Sequence, residues 1–517
     1  MTETFDYVVV GAGSAGCVLA NRLTEDPDVR VLLLEAGGQD DADEIHIPVA
    51  FSSLFKTRFD WNYETVEQKH LGGRPAYWPR GKMLGGSSSM NAMIYIRGNR
   101  ADYDGWGVPG WSFDEVLPYF VRAEHNTRLA GPLHGTDGPL HVEDRRYTHE
   151  LSHAWVDAAV SWGLKPTDDF NGATQEGAGQ YQVTCRSGHR WSVADAYLRP
   201  ALERSNLTVR TDALVSRVLF AGTRALGVRY SRHGHEMDVH ADREVILSGG
   251  AVNSPQLLML SGIGPAEHLR SFDIDVVANL PGVGENLHDH PAVPMLWHTT
   301  GTSDLVDLAG PRALLRWRLT GRGPLASNVG EAGAFFATRD GLTAPDMQVL
   351  VAPSLFYDNG LHEPPGPGFT AGATLVDVAS RGRLRLRSAN PRWRPEIDPA
   401  YYRESVDMDA MVSALRSLIE IGSRAPIARF LSGPFMPANL SGVTDEDLRA
   451  HVREVTQTLY HPVGTCAMGS VVDASLRVEG VDGLRVVDAS VMPVVPRGNT
   501  NAPTIMVAEK AADLIRS

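Results

Sequence analysis

Three glycines, Gly11, Gly13 and Gly16, follow the apolar run FDYVVV and precede the helical pattern CVLANRL. In that order the first allows a tight turn, the second lets a pyrophosphate approach the backbone, and the third lets helix and strand pack closely. Ser14 and Ala15 then open the helix, where free N–H groups and a partial positive charge favour an anion. A second strand pattern, Val29 to Leu34, ends at Glu35, 19 residues beyond Gly16, with Ala36 beside it. A carboxylate there can accept both hydroxyls of an adenosine ribose and repels a 2′-phosphate. The unit reads as a dinucleotide site, and the spacing alone leaves NAD and FAD both open.

Residues 80–98, RGKMLGGSSSMNAMIYIRG, hold a second glycine-rich stretch. Gly85, Gly86 and the serines 87–89 can present several backbone N–H groups together, which suits another diphosphate contact or the polar edge of a ring. Near the carboxyl end two side chains can handle a proton. His461, in HPVGTC, titrates near working pH and can accept one from a hydroxyl. Asn499, in GNTNAP, can donate a hydrogen bond to an oxygen that gains negative charge. Taken singly, each has an ordinary reading: the chain holds 18 histidines, and an Asn beside a Gly is usually a turn residue. Asn501 competes with Asn499 for the second role.

Three further stretches complete the set: GAVNSPQLLMLSGIG at 250–264, HPVGTCAMG at 461–469, and GLRVVDASVMPVVPRGNTNAPTIMVAEKAADLI at 483–515. Together, in order and over most of the length, they resemble the glucose–methanol–choline (GMC) flavoprotein oxidoreductases, nearest the choline-dehydrogenase-like branch. The resemblance implies FAD rather than NAD. It implies non-covalent binding, because Met90 stands where some members carry a flavin-linking histidine. It implies His461 as base and Asn499 as orienting donor. Cofactor contacts are implied for Gly11, Gly13, Ser14, Ala15, Gly16, Glu35, Ala36, Arg80, Gly85, Gly86, Ser88, Asn91, Ala92, Met93, Val215, Asp488, Ala489, Asn499, Thr500 and Thr504. The implied reaction is oxidation of a primary alcohol to an aldehyde by hydride transfer to flavin N5. A dehydrogenase is favoured over an oxidase, and the electron acceptor is open. A lyase or a light-driven decarboxylase on the same scaffold is the alternative.

The elements that must hold these groups follow from the same resemblance: an α/β chain, α+β overall, with two domains. A Rossmann-like FAD-binding domain is expected from residues 1–155, 190–295 and 450–517. A substrate domain with an antiparallel sheet and helices is expected from 156–189 and 296–449. The middle of the chain lacks glycine-rich phosphate loops and carries strand-like runs at 347–351 and 384–386. The last segment, TIMVAEKAADLIR, has helical spacing and is expected to pack on the FAD domain.

Trp61, Phe335 and Tyr460 are the aromatic candidates for the substrate pocket, although ordinary core packing is the expectation for each. Glu331, in NVGEAGAF, has the charge to hold a cationic substrate group, although ordinary structural use is the expectation. His288-Asp289-His290 suggests a metal cluster at first sight, but no third ligand is evident and no metal is expected. Cys466 reads as a packing residue. The 517 residues are 43% hydrophobic and 21% charged, ordinary globular composition that argues against disorder and coiled coil. A net charge of −14 argues against a nucleic-acid partner. Three scattered cysteines argue against a disulfide framework. Lack of an 18-residue apolar run and of a basic leader makes a cytoplasmic location, without a membrane span, the expectation.

Overall fold

Apolar runs without alternation suit parallel strands buried on both faces. Tyr7–Val10 and Val31–Leu34 form such a pair, Tyr7 opposite Val31 and Val10 opposite Leu34, in the computed structural model, which describes residues 3–517. Across their sheet the order is Leu207–Arg210, Val31–Leu34, Glu3–Val10, His235–Leu247, Arg224–Arg232 and Ala213–Ala221. The pairs among the first four strands are parallel, and Leu484–Val486 adds a parallel pairing to the end of His235–Leu247. The last three form an antiparallel meander. From Glu3–Val10 the chain moves to one side and returns much later on the other. The carboxyl end of this first strand is therefore a switch point of the kind at which open α/β sheets bind ligands.

The helix Ser14–Leu23 packs against the last helix, Asn501–Arg516, which is buried from Ala502 to Ala512. Its buried acid, Glu509, ties the two together. Arg22 donates to its two oxygens at 2.9 and 2.8 Å, and the Tyr197 hydroxyl donates at 2.6 Å. This brings the residues just before the last helix to the glycine loop.

The second sheet is antiparallel, in the order Leu431–Met436, Pro291–Thr299, Gly368–Leu375, Met347–Ala352, Ala332–Phe336 and Gly177–Gln180. Helices Glu150–Trp162 and Ser405–Gly422 pack on it. Cross-strand neighbours Pro294, Gly372 and Leu350, and with them Ala292, Thr374, Thr370 and Ala352, line a large cavity. Most of these side chains are small, so the sheet leaves open space rather than filling it. The domain boundaries expected at 155 and 295 fall inside the helix Glu150–Trp162 and the strand Pro291–Thr299. Among the described residues no helix is long and apolar enough to cross a membrane.

Candidate active site

One cavity runs from the first glycine loop to His461. At its glycine end Gly11 takes φ +101°, and a Cβ there would stand 2.5 Å from the Ser248 carbonyl oxygen. A Cβ on Gly16 would stand 1.8 Å from the Gly11 carbonyl oxygen, so this glycine fixes how closely helix and strand approach. Gly13 differs: it lines the cavity, and a Cβ built on it meets nothing within 4 Å. The helix it caps has no side-chain cap and no acid in its first turn. Its free N–H groups and the room above Gly13 fit a phosphate. Gly86 closes the cradle, with a Cβ there only 2.7 Å from the Gly13 Cα, so the two glycine loops touch.

Glu35 is buried beside this cradle. Its oxygens accept the Ala12 and Gly37 N–H groups, both at 2.8 Å. Burial raises its carboxyl to about 7 against the pull of those donors. Asp488 accepts from the Gly250 N–H at 2.8 Å, the Ser254 hydroxyl at 2.5 Å and the Ser490 N–H at 2.8 Å. It thereby pins the 250–260 helix to the carboxyl-terminal segment, and burial raises its carboxyl as well. Ser248 lines the cavity with a buried hydroxyl that has no protein partner. A dinucleotide with a ribose, a diphosphate and a polar ring supplies what this set lacks.

At the other end His461 and Asn499 meet. Asn499 Nδ2 lies 3.3 Å from His461 Nε2. Gln348 Nε2 donates to Asn499 Oδ1 at 3.3 Å, which orients the carboxamide with its NH₂ toward the imidazole. His461 Nδ1 lies 3.0 Å from His290 Nδ1. With Nε2 accepting from Asn499, the His461 proton sits on Nδ1 and is donated to His290, and the single Nε2 lone pair rests on the Asn499 amide until a hydroxyl in the cavity takes its place. The His461 backbone N–H donates to Asp289 Oδ1 at 2.7 Å, and Thr458 and Tyr401 hydroxyls hold the other Asp289 oxygen. Burial, then His290 and Arg80, hold the His461 imidazole well below the ordinary histidine range, so it is neutral at physiological pH. The half-buried Arg80 guanidinium donates to the Tyr460 carbonyl at 2.7 Å. Tyr460 takes φ +70°, a strained setting for a bulky residue immediately before His461.

Of the residues singled out in the sequence, Gly11, Gly13, Ser14, Ala15, Glu35, Ala36, Arg80, Gly86, Asn91, Ala92, Met93, Val215, Asp488, Ala489, Asn499, Thr500 and Thr504 line the cavity, with Met90 among them. Trp61 and Tyr460 line it too. Four do not. Gly16 packs helix on strand. Gly85 donates its N–H to the Ala12 carbonyl, and Ser88 sits between the Gly85 carbonyl and the Val193 N–H, so both build the loop that presents Gly86 and Ser87. Phe335 is the fourth. It lies across the strand pair from Gln348, but Phe170 packs on it at 5.4 Å and the Gly498 turn covers it. It supports that turn instead of lining the pocket. Phe51, Phe55 and Phe356 form the aromatic wall with Tyr460, and only tertiary packing singles them out.

Asn501 is removed from the pair, because its Oδ1 accepts from the Ser14 hydroxyl at 2.7 Å. Glu331 is fully buried, held by the His149 N–H and the hydroxyls of Ser152 and Ser327, and does not line the cavity. His288 uses both ring nitrogens on the backbone of Asn286 and Val495. The His288–His290 run therefore positions His461 through Asp289 and His290, a role that the sequence did not announce. Burial raises the Cys466 thiol far above its usual value, as suits a packing residue.

The two family patterns described as GMC oxidoreductase match residues 5–292 and 378–508. The chain belongs to the GMC oxidoreductase family. It is 44% identical over 537 residues to the mitochondrial choline dehydrogenase of Mus musculus, covering 99% of this chain and 90% of that one. It is 42% identical to an alcohol dehydrogenase [acceptor] of Pseudomonas putida, covering 99% and 95%. Its fold matches a formate oxidase variant of Aspergillus oryzae RIB40, solved for its effect on FAD modification. There the TM-score is 0.93 at 27% identity, over 99% of this chain and 98% of that one. The fold of this GMC protein is thus the mixed α/β flavoprotein fold.

Proposed function

We propose that this GMC oxidoreductase oxidises a primary alcohol to an aldehyde, with FAD held non-covalently between the two glycine loops and the second sheet. The observation that carries the reading is the convergence of His461 Nε2 and Asn499 Nδ2, 3.3 Å apart, on the cavity that begins at Gly13. When bound, FAD supplies the two-electron sink, accepting at N5 the hydride that leaves the alcohol carbon. The chain's own residues do the rest. Glu35 receives ribose hydroxyls, the Gly13–Ser14 and Gly86–Ser87 backbones receive the diphosphate, and Met90 has no nitrogen with which to bond a flavin. His461 Nε2 takes the hydroxyl proton, and Asn499 Nδ2 donates to the oxygen as it gains negative charge. A positioned base is worth about 10²–10⁴-fold in rate.

The substrate class follows from the lining at this end. Phe51, Phe55, Phe356, Tyr460, Val329 and Ala352 make it apolar, and the Arg80 cation lies behind Tyr460. Among the described residues the carboxylates that line the cavity are Glu35 and Asp488, both at the glycine end. An uncharged, apolar primary alcohol fits better than a quaternary ammonium alcohol. Transfer of the electrons to an acceptor other than oxygen is supported by the name of the Pseudomonas putida relative, alcohol dehydrogenase [acceptor].

The deciding measurement is the flavin absorbance of the purified protein mixed with apolar alcohols without oxygen. Bleaching, with aldehyde formed in equal amount, is expected. An oxidised flavin with every alcohol, alongside turnover of a carboxylic acid or a cyanohydrin, would replace this reading with the decarboxylase or lyase. Stoichiometric hydrogen peroxide under air would replace the dehydrogenase assignment with an oxidase.

A further inference from the structure

The helix Pro311–Thr320 turns Trp317 inward, with Ala313 and Leu314 half-buried beside it. It turns Leu315 and Leu319 outward, 60% and 75% exposed, one turn apart on the same face. On the preceding helix, Leu305–Leu308, Val306 is 52% exposed. Residues 311–322 carry Arg312, Arg316, Arg318 and Arg322 and no acid, within a chain of net charge −14. At 100° per residue, the two leucines occupy the centre of the outer face. Arg312 and Arg316 border it on one side, and Arg318 on the other. Among the described residues, Arg318 is the one of these four that meets a carboxylate, Asp43 at 3.1 Å. Beneath the helix, Trp317 belongs to an apolar cluster with Ile47 and Val49, next to Phe51 of the cavity wall.

We propose that the Leu315–Leu319 face seats this protein on an anionic lipid surface. An apolar ridge between arginines is the pattern of a helix that lies in the membrane interface, leucines among the acyl chains and cations at the headgroups. The chain's overall negative charge does not prevent this, because salt limits its reach to about 8–10 Å and the local patch governs contact. A second copy of the chain fits less well. A two-fold contact centred on these leucines sets arginines against arginines. Docking this way brings the aromatic end of the cavity, one layer beneath the helix, toward the phase in which apolar alcohols concentrate. The inference rests on this helix and not on the chemistry assigned to His461.

The test is sedimentation of the full-length flavoprotein with phosphatidylcholine vesicles, with and without phosphatidylglycerol. The protein is expected to sediment with the anionic vesicles only, and salt should release it. Each arginine should contribute about fivefold to partition. The doubles Leu315→Ser/Leu319→Ser and Arg312→Gln/Arg316→Gln should each stay in the supernatant, with flavin spectrum and turnover of a soluble acceptor unchanged. Wild-type protein that stays in the supernatant with both vesicles overturns the proposal. So does binding that both doubles retain, or a dimer by light scattering that the leucine double splits while neither vesicle is bound.

Discussion

The two ends of the cavity are built differently. The glycine end consists of backbone, two carboxylates and space, and much of it comes from the first 90 residues. The histidine end consists of side chains from positions 290, 348, 461 and 499, none of which touches another until the chain has folded. The first can be spoiled by adding a methyl group. The second can lose a functional group and keep its shape. Substitutions at the two ends should therefore separate binding of the cofactor from use of it.

The largest effect is expected at the glycine end, where two neighbouring glycines should fail in different ways. In Gly16→Val the Cβ would meet the Gly11 carbonyl oxygen at 1.8 Å. Strand and helix cannot both keep their places, so the product should be colourless, with a lowered Tm. Gly13 takes φ −79°, which any residue can adopt, and its Cβ would have free space. Gly13→Ala should keep the melting temperature of the apoprotein and lose FAD, because the methyl group stands where a phosphate belongs. Flavin absorbance and thermal melting check both. Normal FAD binding by the Gly13→Ala variant would remove the phosphate from this loop.

At the histidine end the flavin should remain while the rate falls. His461→Ala should lower kcat by about 10²–10⁴-fold, and Asn499→Ala by about 10²–10³-fold, both with full flavin content. Loss of flavin in either would merge the two ends into one cooperative site. His290 acts one step back, as a positioning residue. Its ring and Arg80 help hold His461 below the ordinary histidine range. In that state His461 is unprotonated, and able to act as base, down to pH values well under 6.5. His290→Phe removes one cause of the depression and leaves the His461 Nδ1–H without an acceptor. The acidic limb of kcat/KM should move to higher pH, with a smaller loss of kcat than in His461→Ala. His290→Asn keeps an acceptor and should retain part of the rate that His290→Phe loses. An unmoved limb in His290→Phe would assign His290 to packing alone.

The same contrast explains what could be read before folding. G-x-G-x-x-G, Glu35 and the last helix are local patterns whose physics acts within a few turns of chain, and they line or frame the cavity. Gly85 and Ser88 lie in the right loop but face inward, because a nest of serines does not say which N–H groups turn outward. Asn499 and Asn501 are equivalent on paper. The Ser14 hydroxyl on Asn501, 487 residues away, and Gln348 and His461 on Asn499 distinguish them. Asp289 and His290 carried a signal that was misleading in kind. Clustered His and Asp suggest a metal, and here they orient another histidine. Phe335 stands out in the sequence only as an aromatic, and residue type does not tell how far along the sheet the cavity extends.

That last point carries the smallest effect. Phe335 is fully buried, packs on Phe170, and lies beneath the Gly498 turn that precedes Asn499. Replacing it by Leu removes ring contacts from this support, at a cost of about 1–2 kcal/mol in stability. KM for an apolar alcohol should not change, since the ring does not line the pocket, whereas Tyr460→Leu, on the aromatic wall, should raise it. Denaturant melts and steady-state kinetics on the two variants give the comparison directly. If Phe335→Leu raises KM as much as Tyr460→Leu, the substrate reaches past Gln348, and the pocket is one strand wider than its aromatic wall implies.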